Sequence, residues 1–229
     1  MASAKNILVG ASPLFLSKLD STSGSTYKED MEPGTTDGVS FVNKNLAATP
    51  AVPATVSYTT TLNAATTKWR NVGFTNNGLS ISYQPTYDSV SVDQLLDAAK
   101  LFKSAMTVQI STEMAEGTLE NVLAVFGQKG APVDTGTADS KTSTIGLEAG
   151  ALGIAPVERQ LIAVGQAPTE NATSTERVYY ARRVLSVEQS QFSLSRSAAT
   201  TFPVTFRLLP VDGKTGAEYG QIIDRVLTV

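Results

Sequence analysis

The chain is 229 residues long, 41% apolar and only 17% charged, with 18 basic residues against 21 acidic ones and a net charge of −3. That is enough apolar chain for a real core, as in the all-β sandwiches and barrels that reach this size as one unit, and the charge balance gives no standing attraction for a polyanion or an anionic bilayer. Histidine and cysteine are both absent, which excludes serine–histidine triads, histidine- or cysteine-ligated metals, disulfides, thiolate catalysis and an imidazole switch.

Period-two alternation bounded by turn residues marks strands. The first fall at Ile7 to Val9 and Leu14 to Leu19. Met1 to Gly10 lacks the apolar length of a secretory signal, and no run approaches the roughly 20 apolar residues of a crossing helix, so the chain is expected to fold where it is made. Residues 20–53 are rich in Ser, Thr, Gly and Pro, punctuated by Glu32-Pro33-Gly34. So long a loop is either mobile surface or an arm that orders on a neighbouring subunit. Strands follow at Val56 to Thr61 and Lys68 to Phe74. Asn77-Gly78 then carries a hairpin signal, and Leu79, Ile81 and Tyr83 alternate with Ser80, Ser82 and Gln84. Val90 and Val92 continue the pattern, and Leu95, Leu96, Ala99 and Phe102 give Asp93 to Lys103 a helical spacing.

Val108 and Ile110 mark another strand. Thr118 is an N-cap, with Glu120 in the first turn and Leu119, Val122, Leu123 and Phe126 on one stripe; Gly127 stops this helix. Residues 128–143 are small and polar and read as a loop. Strands close the chain at Glu158 to Val164, Val178 to Val187, Phe202 to Leu208 and, after the turn signal Asp212-Gly213, Tyr219 to Val226. The fold class is mainly β, an antiparallel sandwich or split barrel with one flanking α-helix. No composition break divides residues 1–229, so 20–53 and 128–143 are insertions in a single domain.

Catalytic strings are present but out of context. Ser25 to Lys28 matches S-x-x-K and Lys214-Thr215-Gly216 matches K-T-G, yet the first lacks a helix and the second sits in a turn. A phosphate loop ending at Gly213-Lys214-Thr215 needs glycine where Leu208 stands. Asp134-Thr135-Gly136 has no apolar surroundings to desolvate a carboxylate dyad. Asn171 to Thr173 is formally a glycosylation acceptor, but nothing marks the chain for secretion. Glu113, Glu116 and Glu120 read as charge around a helix start, and adjacent Arg182 and Arg183 point to opposite faces of a strand. Trp69 and the tyrosines read as core or interface anchors. We therefore expect no enzyme activity, cofactor or metal.

The order of features then becomes informative. The run Trp69, Gly73, Asn77-Gly78 and the alternating strand to Tyr83 resembles the major tail (tail tube) proteins of long-tailed, non-contractile bacteriophages. So do Tyr87 to Gln94, Thr107 to Glu116, the short helix to Phe126, Phe202 to Pro210 and Tyr219 to Asp224. The resemblance spans roughly 54–127 and 157–229. It implies subunits joined edge to edge into hexameric rings that form a continuous barrel and stack into a tube around a tape-measure protein. The tail terminator and distal tail or baseplate proteins bound the tube. Double-stranded DNA passes through transiently and without specificity, with no membrane partner. The location implied is the virion tail, with assembly in the host cytoplasm. On this reading Asp88, Asp93, Glu113 and Glu188 are candidates for the lumen wall. Lys28, Glu29, Asp30, Glu32 and Pro33 belong to a candidate inter-ring arm. The alternatives are a tail-completion or capsid-decoration protein, a monomeric β-sandwich binding module, and a serine–lysine or carboxylate hydrolase. Concentration-dependent polymerisation separates the first reading from these.

Overall fold

The computed structural model describes residues 12–18, 69–91, 93, 97–129, 132–137, 140–149, 156–168, 174–187, 191–192, 194 and 199–227. In chain order the elements are β1 (Leu14–Ser17), β2 (Trp69–Asn71), β3 (Thr75–Val90), β4 (Lys100–Met114), α1 (Leu119–Val125), β5 (Val133–Thr137), β6 (Ser140–Thr144), β7 (Arg159–Gln166), β8 (Ser174–Ser186), β9 (Phe202–Leu208) and β10 (Gly220–Leu227). Every pairing is antiparallel, and the main sheet runs β2-β1-β7-β8-β9-β4-β3 with β10 also on β8.

β8 is the branch. Its first part, Ser174 to Ala181, pairs with β10, and its last residues, Val184 to Ser186, pair with β9. The two halves of the sheet bury their apolar sides together. Leu14, Leu16, Leu161, Ala163, Ala181 and Val184 from one half meet Val108, Ile110, Met114 and alternate residues of β9 from the other. β9 shows the simple rule, with Phe202, Val204, Phe206 and Leu208 buried and Arg207 exposed. β1 is buried at every position: Leu14 and Leu16 face the main core, while Phe15 joins Trp69, Ile162, Val178 and Tyr180 in a second cluster. A half-sheet apolar on both sides explains why β1 and β7 read as continuous apolar runs and not as alternation.

α1 closes one end of the core. Thr118 caps it, its hydroxyl accepting from the Asn121 amide at 3.3 Å. Gly127, at φ 63°, ends it in the left-handed conformation, with Gln128 N–H on the Leu123 carbonyl at 2.9 Å and Gly127 N–H on the Ala124 carbonyl at 3.2 Å.

Four expectations change. Among the described residues the helical spacing at Asp93 to Lys103 makes no helix: β4 begins at Lys100, and the Ala99 amide donates to the Val90 carbonyl to hold a hairpin end, while residues 94–96 lie outside the described residues. Apolar spacing alone loses here to a ladder that runs the length of β3. Asn77 and Gly78 do adopt positive φ, 60° and 69°, but they form an irregularity inside β3, opposite Glu113 and Thr112, and not the hairpin's end. The 128–143 stretch contains the β5–β6 hairpin, exposed at every strand position and so without a hydrophobic period to read. Finally, α1 buries Asn121, Leu123, Ala124 and Val125, whereas Leu119 and Val122 are half-buried and Phe126 is exposed. A polar residue holds the centre of the buried face.

Candidate functional site

The feature that stands apart is the β3–β4 hairpin, with strands of 16 and 15 residues. Its base lies in the sheet, where β4 pairs with β9 from Gln109 to Met114. From Lys100 to Ala105 of β4, and along most of β3, the side chains are exposed. Among the described residues β3 pairs only with β4, so its other edge presents unpaired backbone groups.

Register sorts the hairpin into two faces. Pairs Leu79–Thr112, Ile81–Ile110, Tyr83–Val108 and Pro85–Met106 lie on one face. A bulge at Ser104 keeps Tyr87 with Lys103 and Ser89 with Leu101 on that side. At the base Val108 and Ile110 enter the core, while their partners on β3 face water, Ile81 44% and Tyr83 63% exposed; towards the tip Leu101 is 66% exposed. The chain therefore leaves much of this apolar face in water. Lys103 reaches back over the Tyr83 ring, its ammonium 5.7 Å from the centroid. Between this face and β8 and β10 lies an apolar groove of about 240 Å³, bounded by Ile81, Tyr83, Val108, Leu208, Tyr219 and Ile222.

The opposite face is polar where the hairpin lies in the sheet, and towards the tip it also bears Val90 and Phe102, 45% and 46% exposed. It carries Ser80, Ser82, Gln84 and Thr86 on β3, Thr107, Gln109 and Ser111 on β4, and Thr205 and Arg207 on β9. Ser111 and Thr205 hydroxyls meet across the strands at 3.1 Å. Asp88 and Glu113 share this face but sit at opposite ends of it, some 35 Å apart at about 3.3 Å per residue. Asp88 is exposed, and Glu113 accepts from Asn76 Nδ2 at 3.1 Å. Asp93 is exposed in the turn between the strands. These three expected lumen residues are thus on one hairpin without converging. Glu188 and the arm residues Lys28, Glu29, Asp30, Glu32 and Pro33 lie outside the described residues.

The other charged groups have local partners. Glu116 accepts from the Phe74 amide at 3.0 Å and Glu120 pairs with Arg70 at 3.2 Å, so the three glutamates near α1 go separate ways. Arg183 forks onto Glu158 at 2.5 and 2.8 Å, which raises the guanidinium pKa, while Arg182 donates to the Ala217 carbonyl at 2.9 Å. Asp134 holds Lys141 and Ser143, which lower its pKa; a proton-sharing acid needs the reverse. Lys214 to Gly216 lies in the turn after β9, with Gly216 at φ 80°.

One cluster escapes sequence reading. Asn121, fully buried, donates through Nδ2 to the carbonyls of Val72 at 2.8 Å and Glu116 at 2.9 Å and accepts from Arg70 Nη1 at 2.5 Å. Arg159, 7% exposed, is within electrostatic range of Arg70 and Glu120. Three segments far apart in sequence meet here, so no spacing motif announces them.

Compared with known proteins, the sequence matches no family model and no curated relative. No described helix is long and apolar enough to cross a membrane.

Proposed function

We propose that this chain is a structural, self-assembling subunit, and specifically a tail-tube subunit of a long-tailed, non-contractile phage. One observation carries the reading: a 16-residue edge strand that bears Ile81, Tyr83 and Tyr87 and leaves them largely in water. Open edges and contiguous exposed apolar side chains are hazards that a solitary protein avoids and an assembling one uses. A second copy pairing along β3 satisfies the edge and covers the apolar face in the same step. Because the contact is head-to-tail, it closes into a ring only at the right rotation, and six copies then join their sheets into a continuous barrel.

The polar face of β9-β4-β3 lines the bore in this reading. Its hydroxyls and amides dominate, and Asp88 and Glu113 set against Lys100 and Arg207 leave no cationic surplus. A wall without surplus Lys or Arg does not hold phosphate, so double-stranded DNA slides past. Rings stack around a tape-measure protein between a terminator and the distal tail proteins, and the subunit acts by conduction, not catalysis. The double variant Ile81→Lys/Tyr83→Lys tests the hairpin's part in this. Both side chains are substantially exposed, so the subunit stays folded, and sedimentation shows the wild type forming large species that the variant does not. Equal assembly by both proteins refutes the assignment of the hairpin.

A further inference from the structure

Arg159 begins β7 and is 7% exposed, so its guanidinium has five N–H donors to satisfy away from water. Among the described residues its only hydrogen bond runs from Nη2 to the Gln128 carbonyl, at a long 3.5 Å. No described carboxylate forms an ion pair with it. The nearby Glu120 is engaged by Arg70 Nε at 3.2 Å, and Arg70 also spends Nη1 on Asn121 Oδ1 at 2.5 Å. Among the described residues the cluster thus contains two guanidinium charges and one carboxylate. One positive charge is in excess where an uncompensated ion is strongly unfavourable. Burial first, and then repulsion from Arg70, pulls the Arg159 pKa down to about 10, with Glu120 only partly opposing.

We propose that Arg159, together with Arg70, binds a small oxyanion, a carboxylate or a phosphate. A guanidinium fork matches either through paired N–H donors, and one such anion supplies the missing charge. The side chains of Arg70 and Glu120 are 15% and 52% exposed, so the cluster meets solvent at these two residues. The source of the oxyanion is either free phosphate or a carboxylate carried by a second copy of the chain; the latter rests on the assembly reading above. Asp88 and Asp93, exposed and without a partner among the described residues, are carboxylates of the required kind.

Side-chain ¹⁵N NMR of arginine, with wild type and Arg159→Lys, tests the proposal. In the first arm dilute protein is titrated with sodium phosphate and, at equal ionic strength, with sodium chloride. The expected result is that the Nε–Hε signal missing from Arg159→Lys moves saturably with phosphate and not with chloride. The wild type's thermal midpoint also rises in phosphate, and the variant's does not. In the second arm, without phosphate, the protein concentration is raised. Movement of the same signal supports a carboxylate from a second copy; movement with phosphate alone supports a free oxyanion and leaves the assembly reading to its own test. Should Arg159→Lys fail to fold, protection of the wild type against urea by phosphate over chloride, lost in Arg70→Lys, gives the same support. A signal indifferent to both phosphate and concentration, or equal phosphate stabilisation of every folded variant, overturns the site.

Discussion

Replacing Arg159 by Met keeps an unbranched stem in the same space and deletes the buried charge. The fall in the Arg159 pKa from its ordinary value to about 10, at about 1.4 kcal/mol per pH unit, is a penalty of about 3 kcal/mol on the charged form. The substitution also loses one long hydrogen bond to Gln128 and some packing, so the net expected gain in unfolding free energy is about 1–2 kcal/mol. Trp69 is the only tryptophan and is 2% exposed against the edge of Tyr180, so its fluorescence follows urea unfolding directly. The measurement uses dilute protein in phosphate-free buffer, where no oxyanion compensates the wild type. The sign with pH also follows. Below pH 10 both folded and unfolded Arg159 are charged and the penalty is complete; above about pH 10, while the unfolded guanidinium stays charged, the unfolded chain binds more protons, so wild-type stability at this site recovers as pH rises. The advantage of Arg159→Met therefore narrows from pH 9 to pH 11. A variant less stable than wild type by about 1 kcal/mol or more shows that the charge is already compensated and refutes the reasoning.

Asn121→Ala leaves the Val72 and Glu116 carbonyls and the Arg70 guanidinium short of a partner and is expected to cost about 2–4 kcal/mol in the same urea assay; a loss below about 1 kcal/mol contradicts that role. Gly220→Ala drives a Cβ into the Tyr180 carbonyl where β10 joins β8, and is expected to cost roughly 2 kcal/mol or more and to raise amide exchange along β10; unchanged exchange contradicts it. Asp224, held by Arg177 at 2.5 and 2.6 Å, has a lowered pKa, so its pairing stabilises above about pH 4 and is lost as pH falls through the folded-state value. Carboxyl ¹³C NMR is expected to show Asp224 titrating below the usual range in wild type and within it in Arg177→Gln.

The strands with one buried face were legible, because Phe202 to Leu208 and Val108 to Met114 bury every second residue and their sequences alternate accordingly. β7 was legible as a strand at Glu158 to Val164, although both its faces are covered and its burial does not alternate. The caps of α1 were readable from Thr118 and Gly127 because their chemistry is local. Its buried face was not, because the central contact is Asn121, whose partners Arg70 and Val72 come from β2 and the residue just beyond it. The helical spacing misled at Ala99 and Phe102 because apolar residues on an uncovered hairpin obey no burial period; Leu101 and Phe102 are both exposed, and Leu95 and Leu96 lie outside the described residues. Ile81 and Tyr83 alternate with Ser80 and Ser82 as a strand with one buried face does, yet they are 44% and 63% exposed. The Arg70–Arg159 cluster depends on three distant segments and left no trace in spacing.

Negative-stain electron microscopy of the purified chain over a range of concentrations tests the central claim most directly. The account predicts annuli with six-fold symmetry that stack, as concentration rises, into rods with a continuous stain-filled bore. Particles of single-subunit size at every concentration, with no rings or rods, contradict it.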